Sequence, residues 1–573
     1  MSYKSLTECI CDLDKNNEVR IFSKETDPNL DMATIHLEEF SSEKKAVLFE
    51  NVKGSKYKAI SNLFGTLERS KFIFRDSLQI VKDLIQIKTN PSIILNNPIR
   101  FIFALLNGVY AIPKKVRFKN FNEIKIEDLP QIRCWKKDGG AFITLPQVYS
   151  EDPDNAGFFN SNLGMYRIQI SGNNYIKNTE IGMHYQIHRG IGVHQKKANQ
   201  KGQPLKVSIF IGGPPSHTFA AVMPLPEGMP ELSFAGVLGK RRFRYCKKDG
   251  YMISADADFV ICGDIYPHDK KPEGPFGDHL GYYSLKHDFP FMRVYKVFAK
   301  KDAILPFTVV GRPPQEDSQF GALIHEITGK AIEKEIPGLI EVNAVDACGV
   351  HPLLLAVGSE RYTPYNDIKY PQELLTIANH ILGTGQLSLA KYLFICDEAD
   401  SLNVYEEEKY FTHFLERVDW KRDLHFYTKT TIDTLDYSGD DINEGSKLVV
   451  AAAGKVKRNL IQELRDLTLP YGFTNIEFVS RGNLVIEGKG EINKIIVFLE
   501  SQDLEGVGLI TIVDNISFVC DDFSNWLWVT FTRSNPANDI YGLHSENINK
   551  HFSCSLPIID ARIKEHHAPI LER

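Results

Sequence analysis

The chain has 573 residues, 43% hydrophobic, 11% aromatic and 24% charged, a balance that excludes a disordered, collagenous or small disulfide-framed protein. Lysine and arginine number 67 against 73 acidic residues, a net charge of -6. No long basic run is present to neutralise a row of phosphates, so nucleic acid is not an expected partner.

The N-terminal MSYKSLTECICDLDKNNEVR lacks the basic start and apolar core of a signal peptide, which predicts a cytoplasmic protein. Residues 1–125 mix a strand-like run, AVLFENV at 46–52, with a helical one, SLQIVKDLIQI at 77–87, and predict a small α+β domain. FIFALLNGVYAIP, 101–113, lies between Arg100 and the pair Lys114 and Lys115. It is too short for a bilayer, which needs roughly 20 apolar residues, and a buried helix is expected there ahead of an interfacial segment.

From 126 to 335 short alternating runs are punctuated by Gly and Pro: GAFITLP, GMYRIQISG, VSIFIGGPP, FVICGDIYP. They predict a β-barrel or a strongly bent sheet. Beyond 320 strand and helix alternate: FGALIHEITGKAIEKEIPG is helical, LIEVNAV and PLLLAVGSE are strand-like, ELLTIANHILG is helical, and KYLFICDEAD is a strand ending in acids. This predicts an α/β domain with a parallel sheet over 336–455. Residues 456–573 form a mixed C-terminal extension, with LVIEG, KIIVFLE and LITIV expected as strands. Nine scattered cysteines without a CxxC pair point to reduced thiols and away from a structural zinc.

Four strings carry candidate chemistry. In KPEGPFGDHLGYYS, 271–284, Glu273 and Asp278 flank a Gly-Pro-Phe-Gly turn that can bring both acids to one wall. Phe276, Tyr282 and Tyr283 supply apolar walls, and Phe276 and Tyr283 should exclude water and raise the Asp278 pKa; an acidic surface turn is the plainer alternative. In NSNLGMYRIQISGNN, 160–174, Arg167 sits in an apolar strand, which is costly unless an anion meets it, and a structural ion pair would suffice. In VMPLPEGMPELSFAG, 222–236, Glu231 opens a helix and, joined by Asn162, would suit a hard divalent cation, although helix capping explains it as well. HYQIHRGIGVH, 184–194, places His184 and His188 four apart, but the glutamate of HExxH is missing, and its β-branched residues and glycines favour strand and turn.

The order and spacing of N-x-G-x-Y-R, H-R-G, P-x-P-E-G-x-x-E-x-x-F-A-G, P-E-G-P-F-G-D-H-x-G-Y-Y and G-R-P-P, followed by an apolar strand ending in acids, resembles the UbiD family of decarboxylases over roughly residues 125–455. The resemblance implies a multidomain α+β fold: a split β-barrel flavin-binding domain flanked by an N-terminal α+β domain and a C-terminal α/β domain. It also implies prenylated FMN, a divalent metal such as Mn²⁺ and assistance by K⁺. On that resemblance Arg167, Glu273 and Asp278 form the catalytic network; Met165, Tyr166, Arg167, His184, Tyr185, Gln186, Arg189, Gly190 and Lys391 line the cofactor; and Asn162, His188 and Glu231 hold the metal.

The implied reaction is reversible, non-oxidative decarboxylation of an aromatic acid, with Asp278 returning the proton. Asp278 followed by His279 resembles the polyprenyl-hydroxybenzoate members, while the long tail ending in IIDARIKEHHAPILE resembles menaquinone-linked ones. A flavin prenyltransferase is then the expected cofactor supplier, with homo-oligomerisation and peripheral membrane association for a prenylated substrate. The alternatives are an FMN-dependent oxidoreductase, against which no GxGxxG opens a helix, a decarboxylase of naphthoate or another unsaturated acid, and a non-catalytic scaffold.

Overall fold

A computed structural model describes residues 2–185, 190–225, 229–329, 335–362, 365, 369–399, 402–464 and 467–572. The chain forms two units, Met1–Gly329 with Ile570–Arg573, and Lys330–Pro569.

The first unit opens with α1 (Leu6–Lys15), where the Ser5 hydroxyl accepts the Glu8 N–H at 3.2 Å and Leu6, Cys9, Ile10 and Leu13 form the buried stripe. β1 (Val19–Phe22), α2 (Asp31–Ser41), β2 (Ala46–Phe49) and β3 (Lys58–Ser61) follow. The strand prediction at 46–52 thus covers β2, and the helical one at 77–87 covers α3 (Leu78–Thr89). α4 (Pro98–Asn107) starts with Pro98 in the first turn, while the Asn97 side chain accepts the Arg100 N–H. It buries only Phe101, Ala104 and Asn107. The expected buried helix is therefore half wrong: the helix exists, but its other apolar face, including Ile102 and Phe103, is exposed.

Ten short strands then form one antiparallel sheet: β4 (Asn122–Ile124), β5 (Phe142–Ile143), β6 (Pro146–Glu151), β7 (Ser161–Gly164), β8 (Ile168–Gln169), β9 (Glu180–Met183), β10 (Leu205–Ile211), β11 (Phe259–Ile265), β12 (Lys270–Glu273) and, beyond a hairpin, β13 (His287–Ala299). Their order is β5-β8-β9-β13-β11-β10-β6-β7, with β12 and β4 also paired to β13. Among the described residues this order does not close into a ring, so the sheet is open. Central strands are buried on both faces. Val207, Ile209 and Ile211 of β10 face one core, while Phe210 faces another. β14 (Ile304–Phe307) leaves to join β3, completing a four-stranded sheet in the order β1-β2-β3-β14. α5 (Gly190–Gln200) and α6 (Glu231–Leu238) cover the site described below. Where strand and turn were expected at 184–194, Gly190 instead begins α5.

In the second unit, β15 (Leu339–Ala344), β16 (Leu353–Gly358), β17 (Tyr392–Asp397), β18 (Leu424–Thr430) and β19 (Gly445–Ala452) make a sheet ordered β15-β16-β17-β19-β18. Its three middle strands are parallel, as predicted, and both edges antiparallel. A second sheet joins β20 (Phe473–Ser480), β21 (Asn483–Gly488), β22 (Leu509–Val513), β23 (Ile540–Leu543) and β24 (Leu556–Asp560) in the order β20-β21-β22-β24-β23. LVIEG and LITIV are strands here, but KIIVFLE is not: it lies in a helix, α7 (Ile492–Glu500). The reason is topological, since β21 and β22 are parallel neighbours and the chain between them must cross over.

Candidate active site

β7 and β8 are separated by Met165–Arg167, so the run expected as one alternating strand is broken at Arg167. The Met165 N–H is held by the Ala221 carbonyl at 2.8 Å. Gly164 lets the Tyr166 ring fold back, because a Cβ there would lie 2.2 Å from it. Arg167 then projects toward the 273–284 hairpin. Its Nε and Nη2 each donate to Glu273 at 2.9 Å, Nη1 donates to Asp278, and Nη2 also donates to the Ser284 hydroxyl at 2.9 Å. His184 Nδ1 lies 2.9 Å from Nη2 and 3.1 Å from Glu273. The guanidinium sits 4.7 Å over the Phe276 ring. The sequence-predicted Arg167, Glu273, Asp278 and His184 therefore meet in one cluster, with both carboxylates buried.

The hairpin is pinned by backbone contacts that small residues permit. The Gly139 N–H donates to the Pro275 carbonyl at 2.7 Å, and a Cβ on Gly139 would lie 2.2 Å from the Gly274 oxygen. Gln169 accepts the Gly274 N–H at 2.9 Å, and Asn173 donates to the Pro272 and Gly274 carbonyls. Asp138 accepts N–H groups from Gly277, Cys134 and Trp135; burial raises its pKa to about 6 against those hydrogen bonds. Sequence reasoning passed over Asp138, Gln169, Asn173 and Ser284. The signal for Asp138 was an acid beside a Gly-Gly pair, a turn rather than a chemical motif.

Electrostatics correct one expectation. Burial does push Asp278 upward, but hydrogen bonds from His279 and the charge of Arg167 outweigh it, and its pKa lies below the ordinary value. Glu273 is likewise held low: burial opposes ionisation, and Arg167 and His184 overcome it. Both acids are thus ionised at neutral pH, with one guanidinium between them.

A second cluster adjoins the first. Glu231 begins α6 and accepts the Leu163 N–H at 3.2 Å, which sets it beside Asn162. Burial raises the Glu231 pKa, and among the described residues no cation pairs with it. Asn162 Oδ1 accepts the Tyr166 hydroxyl at 3.4 Å, and its Nδ2 is buried without a partner among the described residues. Gly190 packs on that amide, since a Cβ would lie 2.1 Å from Oδ1. The Tyr185 hydroxyl is also buried without a partner among the described residues, with its ring 6.0 Å from that of Tyr166. An uncompensated buried carboxylate beside a side-chain amide fits a hard cation, and the unpartnered polar atoms nearby fit a polar ligand. Gln186, His188 and Arg189 lie outside the described residues. Lys391, in the second unit, is fully buried, 2.8 Å from Asp436 and donating to the Ser438 hydroxyl at 2.6 Å; burial lowers its pKa.

Family models for the N-terminal, Rift-related and C-terminal domains of 3-octaprenyl-4-hydroxybenzoate carboxy-lyase match residues 10–88, 110–313 and 318–452. A Chlamydia pneumoniae protein named as a subunit of 4-hydroxybenzoate decarboxylase is 37% identical over 551 residues, covering 94% of this chain and 90% of the relative. Among solved structures, the closed form of vanillic acid decarboxylase from Sedimentibacter hydroxybenzoicus superposes with a TM-score of 0.66 at 22% identity, covering 82% of this chain and 96% of that one. HmfF of Pelotomaculum thermopropionicum, a UbiD-class enzyme solved with FMN, gives 0.60 at 19% identity, covering 81% and 97%. With three domain models matched in order and a relative this similar over nearly the whole length, the chain belongs to the UbiD family of carboxy-lyases.

Proposed function

We propose that this chain catalyses the reversible, non-oxidative decarboxylation of an aromatic carboxylic acid, of prenylated hydroxybenzoate type, within ubiquinone or menaquinone biosynthesis. The observation that carries the reading is Arg167 held between two buried carboxylates, Glu273 and Asp278. When bound, prenylated FMN supplies the electron sink that no side chain offers. Met165, Tyr166, His184, Tyr185 and Gly190, with Gln186, Arg189 and Lys391 by family resemblance, would line it. Asn162 and Glu231, joined by His188, would hold the divalent cation, Mn²⁺, with K⁺ assisting. We assign the central sheet to a split-barrel flavin domain over 126–335, between a 1–125 domain and domains at 336–455 and 456–573. A flavin prenyltransferase supplies the cofactor, and the chain works as a homo-oligomer.

Arg167 orients the substrate carboxylate through a charge-assisted pair and keeps Glu273 in place. The incoming carboxylate is a third anion facing one guanidinium, which drives proton uptake in a buried site. Asp278 takes that proton as its hold on Arg167 is shared, and gives it to the carbon that carbon dioxide leaves. Water is kept out by Phe276 and Tyr283, both buried.

The test is co-production with a flavin prenyltransferase, followed by incubation with aromatic acids. A flavin absorbance distinct from FMN and release of carbon dioxide are expected. Arg167→Ala, Glu273→Gln and Asp278→Asn should each lower turnover by about 10²–10⁴-fold with the cofactor still bound. Plain FMN exchanging hydride with a nicotinamide would identify an oxidoreductase, and undiminished turnover in any variant would remove that residue from the network.

A further inference from the structure

The hairpin that carries Asp278 is small for its task. Its strands, Phe276–Gly277 and Tyr283–Ser284, pair over two residues each. The turn between them is closed by the Asp278 N–H to the Tyr282 carbonyl at 3.0 Å and the Gly281 N–H to the Asp278 carbonyl at 2.9 Å. A two-stranded hairpin is marginal by itself, and a third strand is what gives it order. The first strand is tied down through the Gly277 N–H, which donates to Asp138 at 2.8 Å, and lies on the Trp135 ring, where a Cβ on Gly277 would come within 2.0 Å.

The second strand is held by residues from far along the sequence. Ile570–Arg573 belongs to the first unit rather than the second. Ile570 forms an antiparallel bridge with Tyr282, the Leu571 N–H donates to the Gly281 carbonyl at 3.1 Å, and the Glu572 N–H reaches the Tyr283 phenol. The Leu571 side chain packs on the core that contains Trp135 and Tyr283. A Cβ on Gly311 would lie 3.0 Å from the Trp135 ring and 3.6 Å from Leu571 Cδ1, so hairpin and added segment share one apolar floor. These contacts fall on the Asp278 arm. Glu273 is fixed by Arg167 and His184, and Gly274 by Gln169 and Asn173.

We propose that Ile570–Glu572 is the third strand of the active-site hairpin, and that Leu571 is a positioning residue which sets the Asp278 carboxyl for proton delivery; the second half rests on the decarboxylase reading above. Three substitutions separate the contacts. Leu571→Pro removes the donor to Gly281, Leu571→Asp puts a charge on the apolar floor, and Leu571→Met keeps both contacts. Hydrogen–deuterium exchange is read in the purified full chain, and turnover in holoenzyme made with a flavin prenyltransferase. In the Pro and Asp variants, exchange over 276–284 should quicken about tenfold while β10 and β11 exchange as in wild type. Their kcat should fall by about 10²-fold at nearly constant KM, with the cofactor still bound. The solvent isotope effect on kcat should rise, because proton delivery has become the slow step. Leu571→Met should match wild type in all of these. Wild-type exchange over 276–284 in the Pro and Asp variants, or quickened exchange with unchanged kcat, would overturn the proposal. A wild-type chain releasing no carbon dioxide would refute the decarboxylase reading, and exchange alone would then decide whether the segment orders the hairpin.

Discussion

Arg167 uses its guanidinium on four partners, Glu273, Asp278, His184 and Ser284, so its geometry is over-determined before any substrate arrives. A different buried group shows the opposite condition. His36 is wholly buried between Phe40 and Phe307, neither ring nitrogen has a hydrogen-bond partner among the described residues, and burial pushes its pKa down to about 3. The unfolded chain accepts a proton there below about 6.5 and the folded one does not, so stability falls as pH drops from about 6.5 toward 3. His36→Phe should flatten that limb, gaining about 2 kcal/mol relative to wild type at pH 5 and little at pH 8, as measured by denaturant unfolding at both pH values. For the site, the residues visible in the sequence were those whose type is unusual for its setting: an arginine in an apolar run, and two acids across a Gly-Pro turn. Ser284, Gln169 and Asn173 are ordinary polar residues, and only tertiary approach gives them a task. The sign of the Asp278 shift was missed because the folding back of the neighbouring His279 onto its carboxylate, and the approach of the Arg167 guanidinium from 111 residues away, exist only in the tertiary structure.

At the level of elements, the site depends on two chain segments approaching backbone to backbone. Gly172 has φ +83, and a Cβ there would lie 1.9 Å from the Gly139 carbonyl oxygen, next to the contact that holds Gly274. Gly172→Ala should cost about 1–3 kcal/mol or more and displace the hairpin bearing Glu273, so turnover falls together with melting temperature. Gly54, with φ +80 and nothing within 4 Å, is the control: Gly54→Ala should cost about 1 kcal/mol and leave turnover unchanged. Some elements were legible, such as α3 and the strands β15, β16, β17, β21 and β22, whereas β18, β19, β20, β23 and β24 were not read from the sequence. Short apolar runs were harder: KIIVFLE satisfies both strand and helix patterns, and FIFALLNGVYAIP is apolar on more than one helical face. A parallel crossover decided the first, and for the second the sequence specified a helix but not which face would be covered.

For the whole molecule, the change of texture along the chain foretold a β-rich centre followed by alternating strand and helix. Strand order was out of reach. β13 pairs with β9, β11, β12 and β4, drawn from Asn122 through Glu273, and nothing local in HDFPFMRVYKVFA records those partners. Charge is as unevenly allotted as strand pairing. All 73 carboxylate residues lie outside 84–122, where they outnumber the 61 other lysines and arginines. An anion approaching residues 84–122 therefore meets positive charge where the remainder of the chain is net negative.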